Sequence, residues 1–434
     1  MALLLGAVSV LALPPIHFVP ALLPAFAGLI WLIDGSQRQV TSGWRQFLRA
    51  HFLNSAFAAG WWFGLGFFIA GLYWISFSFL VDAQQFAWMI PFAIFGLSAA
   101  FAVYIGLVSS LAFRLSKPGY RRIIYFSMLW VVFEWLRGWA FTGFPWNLIG
   151  TVWTFSDAMI QVTSLVGVMG LSLFTVLAAS SLAALGYKDK PQRLRYQMTV
   201  VPLLILAVIW GGGAWRLQGA ENRFVENVQL RLVQPNIAQK DKWKSNLRGK
   251  HLNNLLALSE APALGEYAGR KPTHIIWPET ATPFFLAHDP LRRGAIAQSL
   301  PGGTVLITGS PHRADTGNNV RKLHNSILAL TDAGATTTVY NKSHLVPFGE
   351  YLPLRFMLSW LCNYLTIPMS GFSSGVKSQS DLFIANTPIA PFVCYEIAYA
   401  GLVLDYLPRA GLLVTVCDDS WFGESIAAAQ HLEI

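Results

Sequence analysis

Three side chains of complementary chemistry occupy comparable places in the second half of this sequence. Glu279 follows the β-leaning run His274-Ile275-Ile276-Trp277, Lys342 follows Thr336–Tyr340 and Asn341, and Cys394 follows Pro391-Phe392-Val393. A strand running into a tight turn holds its last side chain rigidly and exposes it, which suits a thiol nucleophile. Taken singly, a cysteine is commonly core packing, and a glutamate or lysine a surface charge. A carboxylate, an ammonium and a thiol that each sit just past a strand end predict convergence along one sheet edge, where α/β active sites form.

The elements that must position them are readable from pattern. Strands are expected at Val228–Val233, His274–Trp277, Thr304–Thr308, Pro388–Val393 and Leu412–Val416. Ser326–Leu330 and Thr336–Tyr340 form a predicted hairpin around Thr331-Asp332-Ala333-Gly334. A polar helical stretch is expected over Lys240–Leu258. Strands alternating with helices, plus one hairpin, predict an α/β sheet layered with helices.

The first half is a different material. The chain of 434 residues is 54% hydrophobic and only 12% charged, where soluble domains run nearer a quarter charged, so much of it must face lipid. Residues 1–33 carry no Asp, Glu, Lys or Arg but are interrupted at Pro14-Pro15, which predicts two short spans. Uncharged runs follow at 50–81, 83–113, 158–187 and 196–215, with a further span over about 121–140 where Glu134 and Arg137 lie at pairing distance on a helix. The expected division is a membrane bundle of about seven segments over 1–217 and a soluble α/β domain over 225–434. The N-terminus has no basic n-region or small-residue cleavage site and reads as a retained membrane segment.

Basic residues cluster in alternate loops: Arg38, Arg45 and Arg49; Arg114, Lys117, Arg121 and Arg122; Lys188, Lys190, Arg193 and Arg195. The positive-inside rule places these loops in the cytoplasm and the domain after 215 outside it. The same distribution argues against nucleic acid as the reason for the net charge of +9. The aromatic loop Arg137–Phe155 reads as an interfacial belt or as the wall of a lipid-binding cavity, and Leu354–Leu361 as a lid or lip dipping into lipid or as a core helix of the α/β domain. Cys362, Cys394 and Cys417 show no disulfide framework or metal spacing, and no HExxH, Walker A or dinucleotide fingerprint is present, so no metal or cofactor is expected.

The segments Trp277-Pro278-Glu279-Thr280, Asn341–Tyr351 and Cys394-Tyr395-Glu396 resemble the nitrilase (carbon–nitrogen hydrolase) superfamily, and with the preceding membrane segments its apolipoprotein N-acyltransferase branch. The resemblance covers nearly the whole chain. It implies an αββα sandwich on a membrane helix bundle in the bacterial inner membrane, with the catalytic domain periplasmic. It also implies transfer of a fatty acyl chain from a phospholipid to the α-amino group of a diacylglyceryl-cysteine lipoprotein, by a monomer. Cys394 matches the nucleophile, Glu279 the general base and Lys342 the third triad member; Glu350, Tyr395, Glu396 and Trp421 match supporting positions, and Trp243 a tryptophan on a mobile arm. Two departures stand out: the chain stops several tens of residues before the family pattern does, and Asp418 stands where the family more often has Asn.

This chemistry suits those residue types. A thiol forms a thioester from an oxygen ester, and an amine attacks that thioester readily. An ordinary thiol, with pKa about 8.5, is mostly protonated at neutral pH, so a carboxylate with raised pKa is needed to accept its proton. The ammonium of Lys342 and a backbone N–H near Cys394 would stabilise the oxyanion, and one site serving both half-reactions predicts ping-pong kinetics. The readings to be separated from this one are a membrane-anchored amidase using water, a non-catalytic transporter or lipid-binding protein, and a shortened inactive relative.

Overall fold

The computed structural model describes residues 1–434 apart from 37–54, 222–223, 316–320, 352–370, 377–378, 380–381, 385–386 and 407–409. The lip expected at Leu354–Leu361 and the loop cations Arg38, Arg45 and Arg49 lie outside the described residues. The chain divides into two compact units: Met1–Asn222 together with Phe422–Ile434, and Arg223–Trp421.

The first unit is helical. Among the described residues, four apolar stretches are long enough to cross a membrane: Ser55–Leu80, Ala83–Leu115, Thr163–Gly186 and Gln192–Leu217. The 26 residues of Ile90–Leu115 rise about 39 Å, which exceeds a hydrocarbon core of about 30 Å. Residues 2–34 break at the prolines into the shorter apolar helices Ala2–Ala12 and Val19–Asp34, and Tyr120–Arg137 is a further helix. Phe26, Phe63, Phe126 and Trp130 interlock at tilted to edge-on angles with centroid separations of 4.9–6.3 Å.

Several buried charged groups of this unit have polar partners. Arg122, which by sequence looked like a loop cation, is 1% exposed and pairs with Asp34 at 2.6 Å while donating to the carbonyls of Phe113 and Ser116. Tyr187 donates to the other Asp34 oxygen at 2.9 Å. Glu134 accepts from Trp130 and from the Ile149 backbone, and Arg137 donates to the carbonyls of Phe144 and Trp146. The aromatic loop therefore divides: Trp146 is buried and donates to Gln430, while Trp139 and Phe141 are exposed.

Helix Ala2–Ser9 meets helix Ser55–Leu72 backbone to backbone. A Cβ on Gly66 would stand 2.0 Å from the Leu3 carbonyl oxygen, and one on Gly6 would stand 1.9 Å from that of Phe63. Small residues permit such approaches in membranes, where dispersion contacts drive helix association.

The second unit is a two-sheet sandwich. β1 (Leu230–Leu232), β2 (His274–Ile276) and β3 (Val305–Asp315) run parallel, and β4 (Arg321–Leu330) and β5 (Thr336–Asn341) continue the sheet antiparallel in the order β1-β2-β3-β4-β5. The second sheet has the order β6 (Leu382–Ile384), β7 (Thr387–Val393), β8 (Leu412–Val416), with β7 and β8 parallel. Ile307, Ile327, Ala329 and Tyr340 of the first sheet pack against Ile389, Val393, Val414 and Val416 of the second. The outer face of the first sheet is covered by Leu255 and Ile296 from helices Arg248–Glu260 and Pro290–Ser299. That of the second is covered by Leu402 and Val403 of helix Ala400–Tyr406. The layering is α-β-β-α.

The β4–β5 hairpin forms where the pattern placed it, turning at Gly334 with φ +74°. Two elements differ from expectation. β3 runs on to Asp315 through the polar Ser310-Pro311-His312-Arg313, because it pairs with an equally polar half of β4. The helix expected over Lys240–Leu258 breaks into Gln239–Lys242, a 3-10 turn at Ser245–Leu247 and helix Arg248–Glu260.

Gly66→Ala should lower the unfolding temperature of the detergent-solubilised protein, since the intruding methyl costs about 1–3 kcal/mol. Gly96→Ala, in a helix with nothing within 4 Å of the added Cβ, should leave it unchanged or raise it.

Candidate active site

Glu279, Lys342 and Cys394 leave the ends of β2, β5 and β7, and the fold brings them together. Glu279 is 7% exposed and Lys342 is 1% exposed. Each is near enough for its charge to act on the others: Lys342 feels both Glu279 and Cys394, and the thiol feels both charged neighbours.

The loop carrying Glu279 rests directly on β3. A Cβ on Gly309 would lie 2.4 Å from the Thr280 nitrogen and 2.6 Å from the Glu279 Cα, so only glycine lets this loop approach. Thr280 itself takes a left-handed φ of +46°. The Glu279 carboxylate accepts from the Asn325 side-chain amide at 2.6 Å. Burial, which outweighs the attraction of Lys342, pushes its pKa above the ordinary carboxylate range, and the neighbouring charges of Glu350 and Asp418 add to the rise.

Lys342 is held at both ends. Its backbone N–H donates to the Asn325 carbonyl at 2.8 Å, and its ammonium contacts the two Glu350 oxygens at 3.1 and 2.9 Å. Burial alone would strip its proton; the carboxylates of Glu350 and Glu279 reverse that and leave its pKa above that of an ordinary lysine. Glu350 also accepts from the Val346 backbone at 2.8 Å, so the turn through Pro347-Phe348-Gly349 is closed on the same carboxylate.

Asn325, fully buried on β4, is the part that sequence reading missed. Its amide nitrogen is shared between Glu279 at 2.6 Å and Glu350 at 2.9 Å, so one neutral donor separates two carboxylates. A hint existed: Asn is disfavoured in strands, yet Asn325-Ser326 opens an apolar strand run.

Cys394 stands on a strained turn. Its φ is +53°, rare for a residue with a Cβ, and it opens the 3-10 turn Cys394–Ala398. The turn is braced by Glu396, which is fully buried and accepts from Val393 N at 2.9 Å, from Ser343 N and Oγ at 2.7 and 2.8 Å, from His344 N at 3.0 Å and from Tyr340. Glu396 thus ties the Cys394 turn to the loop after Lys342. The paired ends Val393 and Val416 set Cys394 beside Cys417. Hydrogen bonding with that neighbour, which favours the protonated Cys394 thiol, and burial hold its pKa well above the usual value, against the pull of Lys342.

The remaining predicted residues are placed as follows. Tyr395 is buried edge-on against Tyr399, which in turn packs on His344. Trp243, 37% exposed, ends the turn Gln239–Lys242, and Trp421 lies in the 3-10 turn after β8. Among the described residues no hydrogen bond joins either tryptophan to Glu279, Lys342 or Cys394, and no cluster of ligating side chains is set to hold a metal ion.

The family model described as the apolipoprotein N-acyltransferase N-terminal domain matches residues 5–181, and the carbon–nitrogen hydrolase model matches 229–434. Apolipoprotein N-acyltransferase of Rhodopseudomonas palustris is 38% identical over 437 residues, covering 100% of this chain and 80% of that protein. This chain belongs to the apolipoprotein N-acyltransferase family. The relative from Bradyrhizobium diazoefficiens is 36% identical with the same coverage. Among solved structures, a carbon–nitrogen hydrolase from Helicobacter pylori G27 aligns with a TM-score of 0.29 at 16% identity, over 44% of this chain and 59% of that one.

Within that family frame the geometry makes two expectations. Asn325→Ala should remove the donor shared by two buried carboxylates, costing about 1–3 kcal/mol of stability and about a hundredfold in turnover. Gly309→Ala should displace the Glu279 loop, because the added methyl would meet backbone atoms at 2.4–2.7 Å, lowering kcat and the stability together. Chemical denaturation alongside steady-state acyl transfer reads both.

Proposed function

We propose that this membrane-embedded N-acyltransferase works through a thioester on Cys394. The thiol attacks the ester carbonyl of a phospholipid, the acyl chain moves to sulfur, and lysophospholipid leaves. The α-amino group of a diacylglyceryl-cysteine lipoprotein then attacks the thioester, giving the amide and restoring the thiol.

The observation that carries this reading is the convergence of a buried carboxylate, a buried ammonium and a thiol on a strained turn, each within range of the others' charge. A Cys394 thiol held above its usual pKa is protonated at rest, so its attack requires a base. Glu279, a buried carboxylate with raised proton affinity, is suited to take that proton, give it to the departing lysophospholipid oxygen and later accept one from the incoming amine. Lys342 stays charged, held by Glu350, and its ammonium with a backbone N–H of the Cys394 turn would face the oxyanion. The strained φ at Cys394 and the Glu396 brace preorganise the sulfur.

Both substrates are bilayer-anchored, which explains why the catalytic fold shares a chain with membrane helices. The alternation of basic loops supports a periplasmic position for the Arg223–Trp421 unit in the inner membrane.

Mass spectrometry after incubation with phospholipid alone should show an acyl adduct on Cys394. Adding a diacylglyceryl-cysteine peptide should discharge it and yield N-acylated peptide. An adduct lost to water at the same rate without peptide would make the protein an amidase-like hydrolase, and peptide acylation by Cys394→Ala would exclude the thioester.

The pH profile follows from Glu279. A base with raised pKa is active only when deprotonated, so kcat/KM should fall on the acid side with a midpoint above the ordinary glutamate value of about 4.3. Glu279→Gln should lower the rate at every pH and abolish that limb.

A further inference from the structure

Lys242 is a cation with almost no access to water, being 5% exposed. Its ammonium donates to the backbone carbonyl of Glu279 at 2.9 Å and forms an ion pair with Asp418, whose side chain is 11% exposed. Asp418 lies in the loop just after β8 and also accepts from Ser420, whose hydroxyl reaches Gln239 at 3.2 Å. Three separate segments thus meet at one buried charge pair: the turn Gln239–Lys242, the loop of Glu279 and the loop after β8.

We propose that the Lys242–Asp418 ion pair is a positioning element of the acyl-transfer site. It clamps the Glu279 loop from its backbone side and anchors the turn that presents Trp243. The proposal rests on the reading of Glu279 as the base.

The physical case has two parts. The Glu279 side chain is tethered to β4 by Asn325 and its loop lies flat on Gly309. The loop backbone is also bonded to β3 through Gly309 N to the Pro278 carbonyl and Thr282 N to the Gly309 carbonyl, and Lys242 adds a tie from a separate segment by binding the carbonyl of Glu279 itself. Second, the pair is electrically coupled to the base. The charged and titratable groups acting on Glu279 are Lys342, Glu350 and Asp418, with the Asn325 amide as donor and Cys394 also within range. Asp418 opposes ionisation of Glu279, and Lys242 is the cation paired with Asp418. A loop tie made only for stability would need no charge. A charged tie sets both the place of the base and its proton affinity.

The two halves of the pair can therefore be separated by sign. Asp418→Asn keeps an oxygen for Lys242 but removes a negative charge near Glu279 and leaves the cation uncompensated. The acid limb of kcat/KM should move to lower pH by about one unit. Lys242→Met leaves Asp418 charged, so the limb should move to higher pH, and kcat should fall about tenfold to a hundredfold because the loop is released. The double variant Lys242→Met with Asp418→Asn should return the limb toward the parent position while kcat stays low. Asp418→Glu should restore the limb in part.

Acyl-adduct formation on Cys394 in the unsubstituted protein is measured first. Its failure overturns the thioester reading, not the clamp. With the adduct present, limbs that do not move, or that move in the same direction in both single variants, overturn the clamp. Should Lys242→Met not fold, Asp418→Asn decides alone, and an unshifted limb at parental melting temperature counts against the proposal.

Discussion

The site depends on how three ionised groups are kept in a nearly dry interior. Lys342 and Glu350 compensate each other directly, at 2.9 Å, and a buried pair of that kind is tolerable only when its remaining hydrogen-bonding capacity is met. The Val346 backbone and Asn325 meet it on the Glu350 side. Glu279 is buried more deeply than the attraction of Lys342 can offset, so its proton affinity rises, and the charges of Glu350 and Asp418 add to the rise. The asymmetry is chemically useful: one carboxylate keeps a lysine charged and in place, and the other remains able to take and release protons. Asn325 is what allows the two to coexist, because a shared neutral donor lowers their repulsion without neutralising either.

The thiol is governed by a different constraint, a backbone one. A left-handed φ at Cys394 is held only if the surrounding structure over-determines it. Glu396 does this by gathering backbone N–H groups from both the Cys394 turn and the loop after Lys342. Cys394 and the loop after Lys342 are thereby referenced to one buried carboxylate. Glu396 has no oxygen left over for proton transfer, and its contribution is rigidity.

The helical unit solves the related problem of polar groups among lipid-facing segments. Asp34, Arg122 and Tyr187 form one closed group, and Glu134 with Arg137 fastens the buried part of the loop Phe144–Ile149. Backbone contact through Gly6 and Gly66 replaces the apolar driving force that lipid cannot supply.

Much of this was open to reading along the chain. Membrane segments announce themselves by the absence of charge over enough residues to cross a bilayer, and the β4–β5 hairpin by two β-leaning runs around an Asp-Ala-Gly turn. Glu279, Lys342 and Cys394 were recognisable because strand-then-turn is a local pattern, and their types are complementary. What the linear sequence left undecided is everything that depends on two distant segments meeting. Asn325 reads as an ordinary polar residue until it is seen bridging carboxylates 46 and 25 positions away. Lys242 and Asp418 are 176 positions apart, and each alone looks like a solvated charge. The polar continuation of β3 was invisible because its partner, the first half of β4, is polar too and only pairing makes either a strand. Residue types and local periodicity are determined by the chain itself; which buried charge answers which is decided by the fold, because compensation acts through space at a few ångströms and carries no mark along the sequence.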